Sequence, residues 1–430
     1  MKKYLIYGPL LALLSLNLFY GAGLYWSAQA QSENERESSY QSMELFTRVM
    51  EKVRSDYVDG DKVSYNDLIQ GALKGMLSSL DPHSEFMTVE KYEDLKADTE
   101  GSFGGVGIHV GIRDNYLTAI APMEDTPAFK AGVMPGDRII KIGDLLTQKM
   151  GLQDAVKELR GEPGTDVTIT ISRPSSGMVK EITLTRAIIK VDTVKDIDGK
   201  RRFNLDTNHI GYIRLTGFGE QTASDLSAAI DRFKEQGIKG LILDLRNNPG
   251  GLLNQAAMVC EFFLPNGQLV VSTEGRAAPK KIEYYSRGKD QLPGIPMVVL
   301  VNTASASASE IVSGCLQDCK RAVILGEQTF GKGSVQSIVG LPDGSALRLT
   351  TAKYYTPSHK VIHEKGITPD IIVPMTPDEE EALYIQKLVG AEEILKNLDE
   401  KKRAFAESVK DIQLERAQDL LLGMQILSRK

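Results

Sequence analysis

Cysteine is scarce. The 430 residues include only Cys260, Cys315 and Cys319, with no CxxC pair of the metal-binding kind. Cys315 and Cys319 lie four apart in an apolar, helical setting, which reads as packing on one helix face. A disulfide between consecutive turns there would constrain almost nothing. The five histidines, at 83, 109, 209, 359 and 363, are scattered, and none sits in a Ser-His-Asp type of motif. There is no excess of positive charge either. Lys and Arg number 51 against 57 Asp and Glu, a formal net charge of -6, which argues against nucleic acid as the main partner. No internal repeat is visible, and no motif calls for a metal or a cofactor.

What is present is an ordinary globular balance, 42% hydrophobic and 25% charged, long enough for two or more domains with their own cores. The first thirty residues form an export segment. Lys2 and Lys3 precede an apolar run from about Tyr4 to Trp26, no charge follows until Glu33, and Ala28 and Ala30 supply the small residues of a cleavage site. The run is long enough to remain as a membrane anchor instead. Residues 31–100 begin polar and then read as helices, with Met43, Leu45, Phe46, Val49, Met50 and Val53 at helical spacing and a second helix over about 65–80. Residues 101–188 form a glycine-rich, β-rich insert with short strands near 117–120, 138–142, 167–172 and 181–185 and one helix near 152–159. Residues 189–375 form the core domain, and from about 208 strands alternate with helices of about a dozen residues, which predicts α/β layering on a largely parallel sheet. Strands are expected at 210–215, 240–245, 297–301 and 322–325, and helices at 222–236, 252–263 and 307–319. Residues 376–430 are charged and amphipathic, with Leu383, Ile385, Leu388 and Val389 at helical spacing; they suit packing or assembly.

The chemistry concentrates in three stretches. A short apolar strand, 297–301, runs into Asn302-Thr303-Ala304-Ser305-Ala306-Ser307-Ala308-Ser309-Glu310 and then a helix. A strand–turn–helix of small residues exposes a serine at a helix N-terminus, where unpaired amides favour an oxyanion. By itself such a run is usually a helix cap. Lysine offers the missing base. Lys332 sits between Gly331 and Gly333 beside a buried strand, a poor choice for a solvated face. Burial lowers a lysine pKa by several units and makes Ser-Lys catalysis feasible. Gln336, four residues on, is placed to orient the amine without adding charge. The stretch 326–332 also matches GxxxxGK of a phosphate loop, but Gly333 stands where Ser or Thr would hold magnesium, and a strand follows in place of a helix. The third stretch, Asn247-Asn248-Pro249-Gly250-Gly251, ends a strand in a glycine pair whose amides, with that of Ala308, would form an oxyanion hole; a plain strand-to-helix turn is the bland alternative.

Together these pieces resemble the carboxyl-terminal processing peptidases, the tail-specific proteases of serine peptidase family S41. The family's SASASEI run is matched at 305–311, TFGKGSVQ at 329–336 and the Asn-x-Pro-Gly-Gly turn at 247–251. The lysine falls 25 residues after Ser307, as the family spacing requires. Further matches lie at 80–84, 211–214, 351–357 and 366–370. After Thr356-Pro357-Ser358 the family usually has glycine, whereas this chain has His359. The resemblance implies a ClpP/crotonase-like α/β protease core, with Ser307 as nucleophile, Lys332 as general base and Gln336 beside it. The insert is similar to a PDZ domain, and Gly105, Val106, Gly107 and Ile108 correspond to the loop whose amides capture a free C-terminus.

The implied activity is endoproteolysis of exported proteins near exposed C-terminal tails, in the periplasm or on the outer face of the bacterial cytoplasmic membrane. Membrane contact is expected only if residues 4–26 stay in place. An adaptor or activator protein and a homo-oligomer formed through the terminal helices are further expectations. The competing reading is a non-catalytic tail-binding adaptor or chaperone, disfavoured by intact Ser307, Lys332 and Gln336. A trypsin-like PDZ protease would require a Gly-Asn-Ser-Gly-Gly run that is absent. A crotonase-type acyl-CoA enzyme would explain neither the insert nor the lysine.

Overall fold

The structure is a computed structural model describing residues 39–427 apart from 61–62, 114, 124–125, 135, 175–176, 277–279, 289 and 388–399. The expected export segment 1–30, Pro135, Leu388 and Val389 lie outside the described residues. The chain divides into two compact units, Met1–Phe86 and Met87–Lys430.

The first unit contains two helices, α1 (39–56) and α2 (Tyr65–Ser78). Ser64 caps α2, its hydroxyl accepting from the Asp67 amide at 3.1 Å. The helices are stapled by Tyr65, which donates to Glu51 at 2.7 Å and lies under the Arg54 guanidinium. The apolar spacing of α1 is as expected, but Tyr40, Met43, Leu45, Phe46 and Val49 are all exposed. A short strand, β1 (Glu85–Met87), marks the junction of the units.

The second unit opens with α3 (Val89–Glu100) and continues into the β-rich insert. Strand β2 (Ser102–Gly105) at its entrance pairs antiparallel with β9 (Ala187–Lys190) at its exit, so the ends of the insert meet. Between them β3 (Ile108–Arg113), β4 (Tyr116–Pro122), β5 (Arg138–Ile142), β7 (Asp166–Arg173) and β8 (Met178–Thr185) pair in that order, with β6 (Leu145–Leu146) on β5. Helices α4 (Pro127–Lys130) and α5 (Leu152–Leu159) complete it. Alternate residues Val167, Ile169 and Ile171 of β7 point into a core with Leu117, Ile139 and Leu159, the period of two expected of a sheet with one buried face.

The remaining chain forms two sheets. One has the order β10 (Val194–Lys195), β11 (Ile210–Leu215), β12 (Gly240–Asp244), β15 (Met297–Val301), β16 (Val323–Gly326), β19 (Ile371–Ile372), parallel throughout except for the β10–β11 pair. Helices α6 (Thr222–Glu235), α7 (Leu253–Glu261) and α8 (Ala308–Asp318) cover one face, burying Leu241, Leu243 and Val299 with Leu226, Phe233 and Val312. After α9 (Pro377–Lys387) and α10 (Glu400–Ser408), α11 (Ile412–Leu427) covers the other face. Its Ala417 and Leu421 pack on Tyr212, Ile242, Val298 and Leu300. Cover on both faces explains why the parallel strands are continuous apolar runs, each buried leucine contributing about 1.5–3 kcal/mol.

The second sheet is antiparallel and was not among the sequence expectations apart from β17. It joins β17 (Ser334–Gly340) to β18 (Ala346–Tyr355), then β13 (Leu269–Gly275) and β14 (Lys281–Tyr285).

Candidate active site

Ser307 stands where β15 turns into α8. Its backbone is at φ 58°, ψ -114°, a left-handed conformation that costs a non-glycine residue about 1–3 kcal/mol. The surroundings fix it there. Ser305 Oγ donates to the Leu245 carbonyl (2.8 Å), while the Ala306 amide and Ser309 Oγ donate to the Asn248 carbonyl (3.0 and 2.9 Å). Asn302 Oδ1 accepts from the Asn247 amide at 2.9 Å. The serine run and the 247–251 turn are therefore one hydrogen-bonded block.

Glu310 ties this block to the lysine segment. It is completely buried, and its carboxylate accepts from the Ser307 amide (2.8 Å), Thr329 Oγ1 (2.6 Å), the Gly331 amide (2.6 Å) and the Lys332 amide (2.9 Å). Burial raises its pKa above the ordinary carboxylate value, with the four donors acting in the opposite direction. Sequence reading did not single out Glu310. The signal was the S-x-x-E spacing from Ser307, half of a capping box.

Ser307 and Lys332 line one cavity of about 470 Å³, with Gly250, Gly251, Ala308, Gln336, Arg348 and Tyr354 also on its walls. Lys332 is half-buried. Desolvation lowers its amine below the usual lysine value, helped by Arg348 and opposed by Glu310. Among the described residues, no hydrogen bond joins the Lys332 amine to Ser307 or to Gln336. Gln336 Nε2 instead donates to Ser334 Oγ (3.1 Å) and Thr350 Oγ1 (3.0 Å).

The glycine pair divides its work. Gly250 is at φ 103°, and a Cβ there would lie 2.7 Å from Ser307 Cβ and 2.9 Å from the Ala308 nitrogen. Its own amide already donates to Asn248 Oδ1 at 2.9 Å. Ala308 is the first residue of α8, so its amide has no intrahelical acceptor.

Tyr354 reaches this site from β18. It is 2% exposed, with its hydroxyl 2.6 Å from the Lys332 carbonyl and 2.9 Å from Ser307 Oγ. The phenolic hydroxyl thus has two acceptors in reach, the Lys332 carbonyl and Ser307 Oγ. Burial raises the phenol's pKa and keeps it protonated.

At the insert, Gly105, Val106, Gly107 and Ile108 line a groove of about 330 Å³ together with Val156 and Leu159 of α5. Strand β3 stands at the end of its sheet order, so an added strand has an edge to join. Gly107 is at φ 76°, and a Cβ there would be 2.3 Å from Thr126 Cβ.

Arg246, two residues beyond β12, is buried against Asp244 (2.7 Å) and Asp411 (2.7 Å), and Tyr212 donates to Asp244 at 2.6 Å. Gln413 also accepts from Arg246 at 3.1 Å, which binds the start of α11 to the turn that holds Ser307. Among the described residues no cluster of His, Cys, Asp and Glu is suited to hold a metal ion, and no helix is long and apolar enough to cross a membrane.

Comparison with known proteins finds peptidase family S41 over residues 209–373, a PDZ domain over 119–173 and the activating protease CtpB N-terminal domain over 19–91. The last takes in the N-terminal helices ahead of the 80–84 match. A carboxy-terminal-processing protease of Bartonella bacilliformis is 44% identical over 83% of this chain and 80% of its own length. The carboxy-terminal processing protease CtpA of Bacillus subtilis is 36% identical over 79% of this chain and 70% of its own. Among solved structures, a photosystem II D1 C-terminal processing protease is 29% identical, over 77% of this chain and 92% of its own, with a TM-score of 0.45.

Proposed function

The chain belongs to peptidase family S41, a serine-type peptidase with a PDZ domain among the carboxy-terminal processing proteases, and on that premise we propose a Ser-Lys mechanism directed at C-terminal tails. Ser307 is the nucleophile and Lys332 the general base. The neutral amine takes the Oγ proton as Oγ adds to the scissile carbonyl, and the ammonium then gives it to the leaving amide nitrogen. The amide of Ala308, with that of Gly251, faces the developing oxyanion, while Gly250 leaves room for Ser307. Gln336 is the third member of the set and meets the lysine only once its bonds to Ser334 and Thr350 are exchanged. The observation that carries this reading is the single cavity shared by Ser307 and a lysine whose amine is depressed by burial.

Protein substrates follow from a peptidase with a PDZ domain. In the finer reading, a free carboxylate binds the Gly105–Ile108 loop while the tail adds a strand to β3. The domain limits are 1–30 for the export segment, 31–100 for the N-terminal helices, 101–188 for the PDZ domain, 189–375 for the peptidase core and 376–430 for the C-terminal helices. Action outside the cytoplasmic membrane rests on the 1–30 segment. The exposed apolar side of α1 supports pairing with a second copy or with an activator.

The test is incubation of the chain with an unstructured protein ending in a free apolar tail, products being read by intact mass. Cleavage is expected from wild type and from neither Ser307→Ala nor Lys332→Ala. Undiminished cleavage by either variant refutes the dyad. Tail binding without turnover in all three would leave an adaptor.

A further inference from the structure

The Tyr354 hydroxyl donates to Ser307 Oγ at 2.9 Å and has the Lys332 carbonyl as a second acceptor at 2.6 Å. Among the described residues no other side chain hydrogen-bonds Ser307 Oγ. The ring is buried on the cavity wall, and the Tyr354 amide is fastened to the Gly333 carbonyl at 3.0 Å, so the phenol is held in place from both ends. Burial keeps it protonated, and therefore a donor, through neutral and mildly alkaline pH.

The two acceptors differ in what a reaction does to them. Lys332 O is a neutral carbonyl at every stage. Ser307 Oγ is neutral at rest and gains negative charge as its own proton leaves. A hydrogen bond to an ionised acceptor is about twice as strong as one to a neutral acceptor. The phenolic donor is therefore drawn to Oγ at the moment the nucleophile forms.

We propose that Tyr354 is a further catalytic residue, its hydroxyl donating to Ser307 Oγ and stabilising the charge that builds there as the serine proton departs. The proposal rests on Ser307 being the nucleophile. The serine proton passes to the base as the Oγ–C bond forms, and later to the leaving amide nitrogen. Tyr354 keeps its own proton throughout and contributes only the hydrogen bond. Once Oγ is acylated, the charge has moved to the substrate oxygen, and the phenol falls back on Lys332 O. In deacylation Oγ is the leaving group and gathers charge again, so the same donor serves both halves of the reaction.

Ser307→Cys turns the contacted atom into a titratable reporter that needs no turnover. In the full chain, alkylation of the introduced thiol by chloroacetamide is followed by intact mass from acid to alkaline pH. The unsubstituted chain supplies the background from Cys260, Cys315 and Cys319. Tyr354→Phe keeps the ring and removes the donor. Added to Ser307→Cys, it is expected to raise the midpoint of the alkylation curve by about one pH unit, a tenfold loss of thiolate at a given pH. The charged groups around the site, Lys332, Arg348 and Glu310, are the same in both proteins, so the difference isolates the phenol. In the serine enzyme, Tyr354→Phe should slow adduct formation with a small serine-directed phosphonate about ten-fold.

A midpoint that stays in place or falls in the folded double variant overturns the proposal, because the hydroxyl would then serve Lys332 O alone. Tyr354→Met, which also lacks the donor, is read in the same way if the phenylalanine variant melts below the assay temperature. Ser307→Ala and Lys332→Ala are treated with the phosphonate alongside. Labelling of the first, or an undiminished rate in the second, refutes the Ser-Lys reading, whereas the thiol midpoint decides on Tyr354 separately.

Discussion

Glu310→Gln changes almost no volume and leaves the same four donors facing an amide. Its better orientation turns the new carbonyl toward the Ser307 and Lys332 amides, which leaves the NH2 toward Thr329 Oγ1 and the Gly331 amide. The threonine hydroxyl can rotate and accept. The Gly331 amide cannot, and it is left as a buried donor without an acceptor, at a cost of about 1–3 kcal/mol. The bonds that survive also lose the assistance of a full charge. Because the orphaned amide adjoins Lys332, the cost falls on the segment that carries the base in the proposed Ser-Lys mechanism. If about 1.4–2.8 kcal/mol of it is lost from the aligned arrangement, turnover falls about 10- to 100-fold. The assay is kcat/KM on an unstructured substrate with an apolar tail, read beside the thermal midpoint of the same preparation. Turnover and midpoint both equal to wild type would refute the view that this carboxylate registers base against nucleophile.

Three further perturbations follow from the same geometry. Gly250→Ala places a methyl 2.7 Å from Ser307 Cβ at a φ of 103°, so phosphonate labelling of Ser307 should collapse while the fold, judged by circular dichroism, persists; normal labelling would show that the turn can yield. Arg246→Ala removes the guanidinium that Asp244 and Asp411 share, and a loss of about 3–5 kcal/mol is expected in denaturant unfolding, with α11 exchanging amide hydrogens first. Lys332→Met tests the depressed amine. A lysine with a lowered folded pKa binds its proton less well than in the unfolded chain, so native stability rises with pH from the depressed value up to the ordinary lysine value. At neutral pH the methionine variant should therefore resist urea better than wild type, with the gap closing toward alkaline pH. An equal or lower midpoint throughout would contradict burial as the cause.

Much of this was legible in the sequence because the relevant information is local. The strands 210–215 and 297–301 and the helix 152–159 fall where their periodicity puts them, and the strand–turn–helix around Ser307 needs only a short apolar run followed by small residues. Lys332 stood out because two glycines flank it. The present partners of Gln336, Ser334 and Thr350, were not legible, because they depend on the β17–β18 pairing, whose register shifts between Val335 and Gln336. Irregularities of this kind depend on the opposite strand and leave no mark in the local pattern. The same holds for Tyr354, which meets Ser307 only because β18 pairs with β17, and for Asp411, which joins Arg246 from far along the chain. Strands β13 and β14 lie among irregular segments, and their pairing is set by tertiary context.

The position of α11 also sets an order in time. Ser307, Lys332 and Tyr354 emerge during synthesis well before residues 411–427, yet one whole face of the sheet beneath them has no apolar cover until that helix arrives. Arg246, at the edge of the nucleophile's turn, likewise waits for Asp411 and Gln413. A nascent chain therefore carries its reactive groups without a finished platform under them. Closing the sheet's second face thus falls to the last residues synthesised.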